Sequence, residues 1–172
     1  MSDLPSTDTI VELTQLLYRE ASLLDDGQFE DWLTLLEDDF QYQAPIRLDL
    51  ADRPKADGGG DKLELSFFED TKGTMQLRIA KIRTGLMQTE NPASRVVRII
   101  SNVQVYPEAA PGEHPVRSAF LIYRQHRQRD VEILAGHRHD LWKRRPDGWG
   151  MARRRVMFAA NVLPVKSLPL IY

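Results

Sequence analysis

The chain has 172 residues, no cysteine and a formal net charge of −2; this suits one domain, residues 1–172, and excludes disulfides, thiolate nucleophiles and cysteine-ligated zinc or iron–sulfur clusters. Hydrophobic residues make up 42%, enough for a packed core, and no apolar run approaches the ~20 residues needed to cross a bilayer. The start MSDLPSTDT lacks the basic and apolar regions of a signal peptide, so a cytoplasmic protein is expected.

The charges are unevenly placed. Residues 1–70 hold 5 Lys/Arg against 18 Asp/Glu, and residues 124–172 hold 11 against 4. Such polarity suits protein–protein steering or head-to-tail self-association. Nucleic acid is disfavoured, because acidic residues interrupt the basic region and the pI is about 6.1.

In chain order, Ile10, Leu13, Leu17, Ala21 and Leu24 recur at three- and four-residue steps and predict a helix starting near Thr9, where Thr9 and Glu12 fit a capping box. Asp25, Asp26 and Gly27 end it. A short second helix would bury Phe29, Trp32, Leu33 and Leu36. The period then changes to two, with Phe40, Tyr42, Ala44, Ile46, Leu48 and Leu50 alternating with polar residues in a long strand, where Pro45 implies an edge or a bulge.

Residues 51–62, ADRPKADGGGDK, read as a mobile loop without the GK[ST] ending of a phosphate-binding loop. Residues 63–90 are ambiguous: Leu77, Ile79, Ile82 and Leu86 fit a short helix about as well as a strand and turn, and residues 72–83 are taken as helical. Four strands follow at 95–106, 115–126, 131–143 and 149–160, separated by PEAAPGEHP, QRQRD and the hairpin signal RRPDG. Helices first and an antiparallel meander after them predict an α+β fold, a curved antiparallel sheet packed against N-terminal helices.

Three groups of residues invite a chemical role. His137 and His139 share one face of a strand, with Arg138 and Asp140 on the other. Two histidines are an incomplete metal site; His126 is the one further histidine with strand context, because His114 sits in a turn-like segment. A structural or surface role is favoured for His137 and His139. An acid–base set of Asp39, Tyr42 and His139 in a cone-shaped cavity is conceivable, yet each has an ordinary structural role. In MARRRVMF, Arg154 shares a face with Ala152, Val156 and Phe158, while Arg153 and Arg155 share one with Trp149, Met151 and Met157. An arginine half buried among apolar groups suits an internal salt bridge or a subunit interface.

Three stretches, LLYREASLLDDGQFEDWLTLLEDDFQYQAPIR, ENPASRVVRIISNVQV and GHRHDLWKRRPDGWGMARRRVMF, occur in the order in which similar patterns occur in one family. The chain resembles the small (beta) subunits of aromatic-ring-hydroxylating dioxygenases. That resemblance implies a nuclear-transport-factor-two-like (SnoaL-like, cystatin-like) cone and a non-catalytic subunit with no cofactor, metal or catalytic residue of its own. The implied partner is a large alpha subunit carrying a Rieske [2Fe-2S] cluster and a mononuclear non-haem iron, supplied with electrons from NADH through a reductase and often a ferredoxin. Three alpha with three beta subunits, beta–beta contacts and a role in aromatic compound degradation are expected. A Rieske centre needs two cysteines and two histidines, so this chain cannot be the redox subunit. Arg95, Arg98, Trp142, Arg153, Arg154 and Arg155 are the expected interface residues. The alternative is a free-standing isomerase or cyclase of the same cone fold using Asp39, Tyr42 or His139.

Overall fold

A computed structural model describes residues 4–46, 66–84, 95–126, 130–160 and 171. Helix α1 (Thr7–Asp25) is capped by Ser6, whose hydroxyl accepts the Thr9 amide at 3.1 Å. The start therefore lies ahead of the expected Thr9–Glu12 box: Ser6 satisfies the orphan amide, and Glu12 is engaged elsewhere, by Arg144 and Trp149. Leu13, Leu17, Ala21 and Leu24 are buried as their spacing predicts, but Ile10, in the first turn, is 40% exposed.

Gly27, at φ +70°, turns the chain into α2 (Phe29–Leu33). The Thr34 amide and hydroxyl both donate to the Asp31 carbonyl and close this helix early. Leu36, expected on it, is instead the buried first residue of strand β1 (Leu36–Pro45). Phe40, Tyr42 and Ala44 then point inward; the expected continuation through residues 47–50 and the loop 51–62 lie outside the described residues.

The short strand β2 (Ser66–Thr71) has no clean alternation of burial and is not foreseen by periodicity. Helix α3 (Lys72–Arg83) has the expected bounds and opens on a Thr71–Thr74 capping box. Met75 and Ile79, one turn apart, face the core, whereas Leu77 is 66% exposed; Leu86 lies outside the described residues.

Strands β3 (Arg95–Val105), β4 (Glu113–His126), β5 (Asp130–Arg145) and β6 (Gly148–Phe158) complete a six-stranded open sheet in the order β2-β1-β6-β5-β4-β3, curved around the helices. His114 belongs to β4 rather than to a turn; the chain reverses at Gly112, φ +75°. All neighbours are antiparallel except β1 and β6, which run parallel. The expected antiparallel meander is present in β3–β6; β1 against β6 is the exception to the antiparallel sheet, because these two strands are not joined by a hairpin and their relative direction is set by the whole intervening chain. Pro45 falls at a register shift between β1 and β2, the bulge rather than the edge position. A second shift, between Leu141 and Trp142, pairs Trp142 with Met151. It rotates Met151 inward, to full burial, away from the face of Arg153 where strict alternation places it.

The acidic first half and basic second half of the chain meet inside one molecule. Helix α1 is tied at its first half by Glu12 to Arg144 and to Trp149 Nε1 (2.9 Å), in its middle by Glu20 to Arg138 and Arg154, and at its end by Asp25 to Arg98 (2.6 Å). Glu37 and Arg145 pair in the same sense across β1 and β5. Much of the polarity that suggested steering of partners is thus neutralised internally.

Gly136 marks a close approach of β5 to β4 and β6. A Cβ there would stand 3.0 Å from Phe120 Cζ and from Phe158 Cα, and closer still to the Met157 carbonyl oxygen. Gly136→Ala is expected to destabilise the fold by about 1–3 kcal/mol, seen as a lowered thermal midpoint; an unchanged midpoint would contradict this packing.

Candidate functional site

The most concentrated chemistry lies between α1, α2 and the inner face of the sheet. Asp140 on β5 and Arg154 on β6 are direct cross-strand partners, joined by a two-pronged contact in which Arg154 Nε donates to Asp140 Oδ1 at 2.9 Å and Nη2 to Oδ2 at 2.7 Å. Glu20 descends from α1 onto this pair and accepts from Arg154 Nη2 at 2.8 Å and from Arg138 Nη1 at 3.4 Å. Trp32 of α2 donates its indole N–H to Glu20 Oε1 at 3.0 Å. Arg138 also donates to the Ser118 hydroxyl at 3.3 Å. All four charged residues are at most 4% exposed.

Two carboxylates and two guanidiniums leave this cluster neutral, the condition under which burial of charge is tolerable. Burial alone would raise the Glu20 pKa. The charges of Arg154 and Arg138, with the hydrogen bonds from Arg154 and Trp32, outweigh burial and hold it at about 2. For Arg154, burial is overcome by Asp140 and Glu20, and its pKa stays well above the ordinary value. Arg138 is pushed down, first by burial and then by the like charge of Arg154.

The other candidates do not converge. Tyr42 is fully buried on the inner face, its ring tilted against that of Phe68 at a centroid distance of 4.8 Å. Asp39 and His139 lie on the outer face, Asp39 beside Lys143 at 3.4 Å. The acid–base set of Asp39, Tyr42 and His139 is therefore split across the sheet. His137 and His139 share the outer face as alternation predicts. The His139 pKa lies below its ordinary value, through burial and then the charge of Arg117. Among the described residues no group of three or more His, Asp or Glu is arranged to hold a metal; the His126 side chain lies outside them. His114 is buried, with Nδ1 3.0 Å from the Tyr106 carbonyl.

The family model for the ring hydroxylating beta subunit matches residues 19–165. This chain belongs to that family. The beta subunit of biphenyl 2,3-dioxygenase from Rhodococcus jostii (strain RHA1) is 35% identical over 159 residues, covering 91% of this chain and 85% of the relative. Two solved structures share the fold. A naphthalene 1,2-dioxygenase chain has a TM-score of 0.85 at 22% identity, over 98% of this chain and 88% of that one. The beta subunit of benzoate 1,2-dioxygenase from Burkholderia mallei has a TM-score of 0.73 at 20% identity, over 99% and 100%.

Within this beta subunit the six residues expected at an interface separate into two sets. Arg98, Trp142 and Arg154 are 7%, 0% and 0% exposed and are used inside the chain. Arg98 holds Asp25 and the Ile171 carbonyl, Trp142 packs in the core, and Arg154 holds the buried cluster. Arg154 thus takes the internal salt bridge of its two expected uses. Arg95 and Arg153 are exposed and Arg155 half-buried; their strand positions put all three on the outer face. The residue that sequence reading missed is Glu20. Its signal was present, since Glu20 stands three residues after Leu17 and four before Leu24, on the buried stripe of α1.

Glu20→Gln preserves shape but leaves two buried guanidiniums facing one carboxylate, and is expected to cost on the order of 3–5 kcal/mol. The folded pKa of Glu20 is depressed, so its stabilisation is complete above the unfolded value of about 4.5 and is lost as pH falls through about 2. Chemical denaturation between pH 5 and pH 2 should therefore show a flatter loss of stability in Glu20→Gln than in the wild type. Equal slopes would remove Glu20 from this role.

Proposed function

We propose that this chain is the non-catalytic small subunit of a multicomponent aromatic-ring-hydroxylating dioxygenase, supporting the assembly of alpha subunits in aromatic compound degradation. The observation that carries the reading is the family match across residues 19–165, in a chain without the cysteines of a Rieske centre. The Rieske [2Fe-2S] cluster and mononuclear iron belong to the alpha subunit, with electrons arriving from NADH through a reductase and ferredoxin. Three alpha and three beta subunits form the complex in the cytoplasm, with beta–beta contacts, and Arg95, Arg153 and Arg155 are the surface arginines offered to neighbours. The place of an acid–base pair on the concave side is taken by Glu20, Arg138, Asp140 and Arg154, each committed to another member of the cluster. They hold α1 to β5 and β6 and give the sheet a fixed shape on which a neighbour can build.

The test is native mass with metal analysis of the chain expressed alone and with its cognate alpha subunit. A metal-free chain that enters an iron-containing hetero-oligomer on co-expression is the expected result. A chain that stays apart and turns over a small ketone or polyketide would overturn the reading. Once the complex is assembled, replacing His137 and His139 together with glutamine should leave ring hydroxylation within about twofold of wild type, since glutamine keeps an uncharged polar side chain on an exposed strand face. A large loss with assembly intact would give these histidines a role.

A further inference from the structure

On the inner side of the sheet the guanidiniums of Arg138 and Arg154 face carboxylates of the same chain. The outer side of β4, β5 and β6 is different. Arg117 on β4 is opposite His139 on β5, and His139 is opposite Arg155 on β6. Arg153, two residues from Arg155, shares this face. The side chains of Arg117 and Arg153 make no hydrogen bond or ion pair with a described residue.

These arginines line a groove of about 590 Å³, a volume within the range of small-molecule sites. The amides of Gln41 and Gln43 on β1 add further donors, and Tyr106, Pro115 and Met157 supply apolar lining. Asp140, the one carboxylate residue of the lining, is 4% exposed and turns inward to Arg154. Further along β1 and β4, Asp39 and Glu113 are held by Lys143.

A cleft lined by one sign of charge concentrates counter-ions, and guanidiniums grip carboxylate and phosphoryl oxygens through paired hydrogen bonds. Strand β5 lies between Arg117 and Arg155, so their backbones stand about 10 Å apart. One anionic group cannot serve both ends of the groove equally. We propose that this groove is a binding site for a small organic anion bearing at least two carboxylate or phosphoryl groups. One group sits at Arg117, the other at Arg153 and Arg155, with the carbon skeleton against the apolar lining.

His139, between the two ends, reports on occupancy. Its pKa is lowered first by burial and then by Arg117, with His137 and Arg155 acting in the same direction and Asp140 opposing them. An anion seated beside it favours the imidazolium and raises that pKa.

The experiment titrates citrate, pyrophosphate and acetate into the full chain at constant ionic strength, followed by calorimetry and by the NMR titration of His139. It compares wild type, Arg117→Gln, Arg153→Gln and, as an equal loss of charge on the exposed side of α3, Lys81→Gln. Citrate or pyrophosphate should bind saturably, raise the His139 pKa, and bind at least about tenfold more weakly in each groove variant, with Lys81→Gln unchanged. The tighter of the two probes names carboxylate or phosphoryl as the class. Thermal midpoints check folding, and the exposed Arg153 carries the comparison if Arg117→Gln is destabilised. Absence of saturable binding, unchanged affinity in the groove variants, or acetate binding as tightly as citrate overturns the site. Binding by the chain alone that is lost in the complex with the cognate alpha subunit also overturns it, and gives the groove to a neighbouring subunit. Failure of that complex to form counts against the small-subunit reading, while the titrations of the chain alone still decide the groove.

Discussion

A single carboxylate organises this molecule. Glu20 is withdrawn from water completely and still kept ionised, because Arg154, Arg138 and Trp32 present donors to it from β6, β5 and α2. Removing a charge from water costs several kcal/mol per ion, repaid only where the geometry is close and the remaining lone pairs are used. Here Asp140 completes the count on the far side of Arg154. The result is positional: α1 has one longitudinal setting over the sheet in which Glu20 reaches both arginines, and Leu13, Leu17 and Leu24 fall into place around that setting.

Period two then transmits the inner arrangement to the outer surface. Once Arg138 and Asp140 face inward on β5, His137 and His139 must face outward, and the inward turn of Arg98 sends Val97 and Ile99 to the surface. Charge inside and apolar side chains outside are two aspects of one strand register. The bulge at Leu141/Trp142 limits the effect, allowing Trp142 and Met151 to return to the core at the hairpin end.

Much of this was legible from residue patterns. The helical spacing of α1, the alternation of β1 and the Pro-Asp-Gly hairpin each rest on local geometry, which a sequence displays directly. Arg154 was recognisable as an arginine among Ala152, Val156 and Phe158. Its partner Glu20 was not singled out, because a helical glutamate is ordinarily solvated and its counter-charges lie far along the chain. Strand β2 escaped for another reason: Ser66, Phe67 and Phe68 are all half-buried, and burial alternates only from Phe68 to Thr71, too short a run to read as a period. The parallel pairing of β1 with β6, and the bulge that turns Met151 inward, are tertiary outcomes with no local signature. Arg98 and Trp142 are residue types common at interfaces, and their burial within the chain follows from which way the strand turns them, which residue type alone does not display.

The parallel contact between β1 and β6 also fixes an order of events. During synthesis the helix bearing Glu20 emerges first, but Arg138 and Arg154 follow 118 and 134 residues later, and β1 finds its central neighbour only when residues near 155 have appeared. Closing contacts of such separation is entropically costly, and topologies rich in them fold slowly. Until the last strand has appeared, Glu20 lacks the arginine of β6 that holds it and β1 lacks its central neighbour, whereas Asp25 can already meet Arg98 and Asp38 can meet Lys72.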